Sequence, residues 1–337
     1  MNRDQENGPF GPISRRSAIG STLRAGAAFL TPGAFASEAD ASSQGSVGRR
    51  YDVKKSINLW AFPYPQKMTI TQCLQLAKDA GFDGIELNYD LESDLSPKSG
   101  AKEFQEIRRT AERIGIAISG LCSFLFWPYP LTSNDQSKRS RGLELAGRMA
   151  HAAHDLGTEN LLVVPGAVHI PWRDDHEPVP NDVCDRRARV AIGSLVKTAE
   201  TLNISLNIEN IFFNGYLMSP MEMNAFVDSF SSPNVRVHFD TGNIMLFQHP
   251  EHWIPILGKR IRNTHFKEFT KKGTDHSLES FRPLLDGTTN WPAVMNALDS
   301  TGYRGYCTFE YFHPYVHYPE ALIYQTSDSL DRILGHK

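Results

Sequence analysis

From Ser56 onward the chain alternates between two patterns of apolar and polar positions. Short apolar runs with polar residues at every second position read as strands. Longer stretches with apolar residues three and four apart read as helices. The predicted strands are residues 56–62, 83–88, 117–124, 160–166, 204–210, 235–240, 261–267 and 305–311. The predicted helices are 69–82, 101–116, 137–158, 183–203, 219–230, 250–259, 290–302 and 319–335. Local chemistry agrees: Gly81 closes the first helix, and Ser219 followed by Pro220 forms the cap and first position of the fifth. Eight strand–helix pairs in about 285 residues imply parallel strands joined by crossover helices, and that count fits a (β/α)8 TIM barrel. A doubly wound open sheet is the competing arrangement. No G-x-G-x-x-G follows the first strand, so a dinucleotide site has no support.

The first 50 residues break the alternation. Arg15 and Arg16 precede a weakly apolar stretch that ends in Ala34-Phe35-Ala36, the layout of a twin-arginine export signal with an A-x-A cleavage site. The stretch is short and interrupted by Arg24, so it makes a poor membrane span and no stable anchor is expected. Residues 37–50 are polar and read as a linker. The expected organisation is a signal segment at 1–36, a linker at 37–50 and one barrel at 51–337, with the mature protein in the periplasm.

Composition narrows the partners. With 35 basic and 38 acidic residues the formal charge is −3, which gives no electrostatic reason to expect a nucleic acid or an anionic membrane. The four cysteines, Cys73, Cys122, Cys184 and Cys307, show no C-x-x-C spacing and no zinc cluster. Export leaves a disulfide open without saying which residues pair. A homo-oligomer is compatible with the sequence but not specified by it.

The polar residues at the strand ends carry the chemistry. In "ISLNIEN" Leu206 and Ile208 oppose Asn207 and Glu209, and in "VRVHFD" Val237 and Phe239 oppose His238 and Asp240. His265 and Glu310 hold the matching positions on the next two strands. In a barrel the polar face points inward, so Glu209, Asp240, His265 and Glu310 should converge at the C-terminal end, where barrel enzymes place their sites. Three carboxylates buried together without a counter-charge would be very costly, and a cation removes that cost. The oxygen-rich donor set favours Mn²⁺ or Mg²⁺, with Co²⁺ or Zn²⁺ as further options.

The stretches "NIEN" (207–210), "HFDTGN" (238–243), "THFKE" (264–268) and "TFEY" (308–311) resemble the xylose-isomerase-like TIM-barrel superfamily of sugar isomerases and epimerases. The resemblance runs in order and spacing over about residues 56–335. It implies that Glu209, Asp240, His265 and Glu310 bind the metal, with Glu209 and Glu310 also serving as the acid/base pair. It departs at Asn243, where epimerases of the superfamily commonly carry a substrate-touching histidine, and Lys271 stands near the expected place of a basic substrate contact.

The expected activity is metal-dependent isomerisation or epimerisation of a keto sugar through an enediolate. A lyase or dehydratase acting on a keto-glycoside or keto-polyol at the same site, or a non-catalytic sugar-binding barrel, are the alternatives. Further substrate contacts are expected from His238, Lys267, Glu86 and Trp172. His238 is read as binding substrate or ordering Asp240, Lys267 as binding a substrate oxygen or pairing with Glu86 or Glu310, and Glu86 as touching substrate or capping the barrel. Trp127, Tyr129 and Trp172, on loops after the third and fourth strands, suit stacking on a sugar face or packing on the rim.

Overall fold

A computed structural model describes residues 50–273 and 277–337. The twin-arginine segment and nearly all of the 37–50 linker lie outside the described residues. The chain runs through β1 (Lys54–Asn58), α1 (Ile70–Asp79), β2 (Gly84–Asn88), α2 (Ala101–Ile114), β3 (Ala117–Cys122), α3 (Gln136–Leu156), β4 (Asn160–Val163), α4 (Asn181–Leu202), β5 (Ser205–Glu209), α5 (Pro220–Asp228), β6 (Val235–Asp240), α6 (Pro250–Leu257) and β7 (Ile261–Phe266). Two short strands follow, β8 (Glu268–Phe269) and β9 (Phe281–Arg282), then α7 (Trp291–Ser300), β10 (Tyr306–Phe309) and α8 (Pro319–Ile333). Eight strands close into a barrel in the order β1-β10-β7-β6-β5-β4-β3-β2, with every neighbouring pair parallel. The fold is the expected (β/α)8 barrel.

The alternation within strands decides which residue goes where. Outward-facing Phe239 stacks on Trp253 of α6 at 6.1 Å between ring centroids, and Phe266 stacks on Trp291 of α7 at 4.9 Å. These rings belong to a core that runs between the strands and the helical shell, and burying each aromatic contributes about 2–3 kcal/mol. The inward face carries many polar residues. Ser56 and Ser119 share a hydrogen bond of 2.7 Å, and Asn207 donates to Asn160 at 3.0 Å.

Helix ends follow the local sequence. Thr69 and Gln72 form a capping box on α1, as do Ser219 and Glu222 on α5. Gly157 ends α3 with φ +78°, a left-handed conformation that favours glycine. β1 stops at Asn58 rather than continuing to residue 62. The Asn58 side chain accepts from the Trp60 N–H at 2.8 Å and turns the chain into a single 3₁₀ turn.

All four cysteines are buried free thiols, so none of them pair. Among the described residues no helix is long and apolar enough to cross a membrane.

Candidate metal centre and cavity

Strands β5, β6, β7 and β10 are neighbours in the barrel, and each carries one polar residue of the cluster at its C-terminal end or within one residue of it. Glu209, Asp240, His265 and Glu310 each offer a donor atom, and these four atoms lie within 4.8 Å of one another. His265 Nδ1 sits 3.3 Å from Glu209 Oε1, 3.3 Å from Glu310 Oε1 and 3.8 Å from Asp240 Oδ2. All four residues are at most 6% exposed.

Backbone geometry prepares Asp240. Its Oδ1 accepts the Gly242 and Asn243 N–H groups at 2.7 and 2.8 Å, while Oδ2 takes no hydrogen bond. His265 Nδ1 has no hydrogen-bond partner either. Two unpartnered, fully buried donor atoms facing two further carboxylates fit a divalent ion, which would satisfy them together. Gly242 allows the turn to close: a Cβ there would lie 2.8 Å from the Lys267 carbonyl oxygen.

Electrostatics carry the same message. Burial pushes the Glu209 carboxyl up to about 7, with His265 opposing and the Glu310 charge adding to the rise. Glu310 is raised by burial against the pull of Lys267 and His265. Burial also acts to raise Asp240, but Lys267 and His265 outweigh it and hold that group low. Burial alone would depress His265, yet the Glu310 and Glu86 charges hold it well above the ordinary imidazole value. The cluster is a set of charges short of one cation.

Lys267 supplies part of that charge. Its Nζ lies 2.5 Å from Glu310 Oε2 and 3.6 Å from Asp240 Oδ2, and it donates to Asn243 Oδ1 at 3.2 Å. Of the two pairings expected for Lys267, the one with Glu310 forms. The Asn243 amide in turn donates to the Asn210 carbonyl at 3.0 Å.

Above the cluster opens a cavity of about 310 Å³. Glu209, Asn243, Lys267 and Glu310 form its polar floor; Trp60, Phe124, Trp127, Trp172, Phe281 and Phe312 are among its walls. Trp172 meets Trp127 edge-on at 5.1 Å between centroids, and Trp60, Phe124 and Phe312 pack in mutual contact at 4.1–5.3 Å. Trp60, Phe124 and Phe312 each lie two or three residues beyond the end of a barrel strand, the position that should have marked them in the sequence.

Three expectations change. Glu86 neither touches the cavity nor caps the barrel: at 1% exposure its Oε2 lies 2.6 Å from His265 Nε2, behind the ligand. His238 does not order Asp240. Its ring packs edge-on against His265 at 4.1 Å, inside the barrel and below the cavity floor, and burial holds it neutral. Lys271 is not the basic group of the site. It reaches the Gln248 carbonyl at 3.4 Å, outside the cavity lining, and Lys267 takes the place at the floor. The cause is strand parity: Lys267 is two residues after His265 and shares its inward face, whereas Lys271 follows the β8 turn. Tyr129 is likewise absent from the lining and packs against the core.

The sequence matches the family model described as xylose isomerase-like TIM barrel over residues 74–333. Among curated relatives, an L-ribulose 3-epimerase from Mesorhizobium japonicum is 26% identical over 252 residues, 72% of this chain and 75% of that protein. The L-ribulose-5-phosphate 3-epimerase UlaE of Escherichia coli is 23% identical over 258 residues, covering 76% and 86% respectively. Among solved structures, a D-psicose 3-epimerase determined in the presence of D-fructose superposes with a TM-score of 0.68 at 20% identity, over 84% of this chain and all of that one. The 3-keto-D-glucoside 4-epimerase YcjR of E. coli superposes with a TM-score of 0.66 at 16% identity, over 83% and 98%.

Proposed function

This chain belongs to the xylose isomerase-like TIM barrel family, and from that footing we propose that it is a divalent-metal-dependent epimerase or isomerase of a keto sugar. The observation that carries the reading is the four-donor cluster with Asp240 Oδ2 and His265 Nδ1 unpartnered, two of whose carboxylates, Glu209 and Glu310, open into an aromatic-walled cavity. The epimerase names of the relatives support the reaction class. Donor type puts Mn²⁺ or Mg²⁺ first, ahead of Co²⁺ or Zn²⁺.

When bound, the ion supplies Lewis-acid polarisation of the substrate carbonyl and its neighbouring hydroxyl. The remaining chemistry falls to side chains. Glu209 and Glu310 stand on different strands around the same imidazole, each 3.3 Å from His265 Nδ1. One removes the proton alpha to the carbonyl, giving an enediolate, and the other returns a proton. Return to the opposite face epimerises the carbon; return at the neighbouring carbon isomerises the sugar. Lys267 holds the Glu310 carboxylate in place and offers a hydrogen bond to a substrate oxygen.

Three carboxylates balance a divalent ion and one lysine ammonium, leaving no surplus positive charge for a phosphate. A neutral sugar, free or glycosidically linked, fits that balance. The tryptophan and phenylalanine walls suit the C–H faces of a sugar ring. They also leave apolar room above the floor, which favours a glycoside as a second reading, with loss of a beta leaving group from the enediolate as its outcome. On the layout of residues 1–36 we place the enzyme in the periplasm. Cell fractionation checks that point, and recovery of the full-length chain in the cytoplasm alone overturns it.

Proton NMR in D₂O tests the activity. The mature protein with Mn²⁺ is incubated with free keto sugars and with 3-keto-glycosides. Deuterium entering alpha to the carbonyl together with a new epimer or isomer supports the main reading. Release of the aglycone supports the second. Absence of exchange across the panel returns the chain to a sugar-binding role.

A further inference from the structure

Behind His265, on the side away from the cavity, lies a polar arrangement that the reaction does not use directly. His265 Nε2 is 2.6 Å from Glu86 Oε2. The same oxygen accepts from Asn58 Nδ2 at 2.7 Å, and Asn58 Oδ1 accepts from Asn88 Nδ2 at 3.3 Å. All of these groups are at least nine-tenths buried. We propose that Glu86 is a positioning residue of the metal centre: it accepts the Nε2–H of His265, fixes the tautomer that leaves the Nδ1 lone pair free, and aims that lone pair at the metal. The proposal rests on the metal reading of the four-donor cluster.

Three features of the backbone are arranged around this one contact. First, the β2–β3 register slips at Glu86. Ile85 pairs with Ile118 but Glu86 pairs with Gly120, so one residue of β2 faces two of β3. Such an irregularity re-aims the side chain beside it. Second, the residue opposite Glu86 has no side chain. A Cβ at Gly120 would stand 2.9 Å from Glu86 Oε1 and 3.4 Å from Asn263 Nδ2, so any larger residue would displace the carboxylate. Third, Asn58 reaches Glu86 from the end of β1 while its own Oδ1 accepts the Trp60 N–H, so its amide is fixed with the donor toward the carboxylate.

A second metal ion is the competing use of these groups, since Glu86, His238 and His265 also cluster. The Glu86–His265 separation of 2.6 Å is that of a hydrogen bond and leaves no room for an ion between them. A carboxylate that accepts from a ligating histidine raises ligand basicity and locks ring orientation, and its loss typically costs 10–100-fold in metal affinity.

Calorimetric titration of the whole protein with Mn²⁺, together with histidine ¹⁵N spectra of the Zn²⁺-loaded wild type, tests the assignment. Glu86→Gln and Gly120→Ala are expected to lower Mn²⁺ affinity about 10–100-fold and more weakly, respectively, with kcat recovering as Mn²⁺ is raised to saturation. In the wild type, one histidine should keep its Nε2 proton while its Nδ1 resonance shifts on loading. Two folded variants that bind Mn²⁺ as tightly as wild type overturn the proposal while leaving the metal reading intact. So does a spectrum in which Nε2 is the ligating nitrogen, and this result holds even if both variants fail to fold. A wild type that takes up no divalent ion overturns the metal reading and the positioning role with it.

Discussion

Buried carboxylates in this barrel are treated in two opposite ways. Glu268, on β8 and 1% exposed, is surrounded by donors. Its oxygens accept the Leu285 and Thr289 N–H groups at 3.1 Å each, the Thr289 hydroxyl at 2.5 Å, and the Trp291 indole N–H at 2.7 Å. It ties both ends of the long segment between β7 and α7, and Gly287 leaves it space, since a Cβ there would sit 2.3 Å from Oε1. Glu209, Asp240 and Glu310 are equally buried but are left with too few donors and with one another's charge. A carboxylate whose lone pairs are filled by fixed N–H groups has a structural job; carboxylates that burial has left facing each other await a cation.

The largest expected effect lies on the second set. Glu209→Gln and Glu310→Gln should each lower turnover by about 10²–10⁴-fold without unfolding the protein, read as deuterium incorporation beside circular dichroism. Unchanged turnover in either variant breaks the acid/base assignment. Next in size, stripping divalent ions should lower the melting temperature and Mn²⁺ should restore it, by about 2.7 kcal/mol of stabilisation at a hundred times Kd. A melting curve indifferent to chelator and to Mn²⁺ breaks the contrast at its centre.

Glu268→Gln should behave differently. It should cost about 1–3 kcal/mol of stability, because an amide N–H₂ would face donors. The Mn²⁺-induced rise in melting temperature should remain as in wild type. Loss of that rise would mean that the two carboxylate sets are not separate.

Acidity sharpens the comparison further. Glu209 is raised above an ordinary carboxylate, so the metal-free folded state holds its proton more tightly than the unfolded chain does. That proton stabilises the metal-free fold at low pH, and the contribution is lost as pH rises through about 7. An incoming ion must displace it. His265, held above the ordinary imidazole value, must also give up a proton to ligate, so Mn²⁺ affinity should rise with pH through 7 and continue to rise above it, measured by calorimetry across that range; an affinity independent of pH would break the assignment. The smallest effect belongs to the wall: Trp172→Ala should raise KM by a few fold with kcat held, a loss of about 0.5–1.5 kcal/mol of stacking, seen in steady-state kinetics.

The barrel and its four-residue cluster were legible in the sequence because both rest on a two-residue period. Glu209, Asp240, His265 and Glu310 end apolar strands on the polar parity, and a closed parallel sheet sends that parity inward. Other residues carried no such signal. The contact of Glu86 depends on a register slip against β3 and on the missing side chain of Gly120, which a single strand's pattern does not express. The placement of Lys271 outside the cavity depends on where β8 turns the chain away. The β8–β9 pair is antiparallel and two residues long on each side, too short for any period to register. His238 shares its parity with Asp240 but lies one pleat deeper, which separates a cavity contact from an interior ring.

The thiols have a use that chemistry at the floor does not suggest. Cys73 lies in α1, Cys122 in β3, Cys184 in α4 and Cys307 in β10, and all four are 0% exposed and unoxidised. A thiol reagent meets each of them only when its own stretch of the barrel opens. The chain thus carries four native reporters at four places around its circumference. Their labelling rates, compared with and without Mn²⁺, would show how far from the floor a bound ion makes its presence felt.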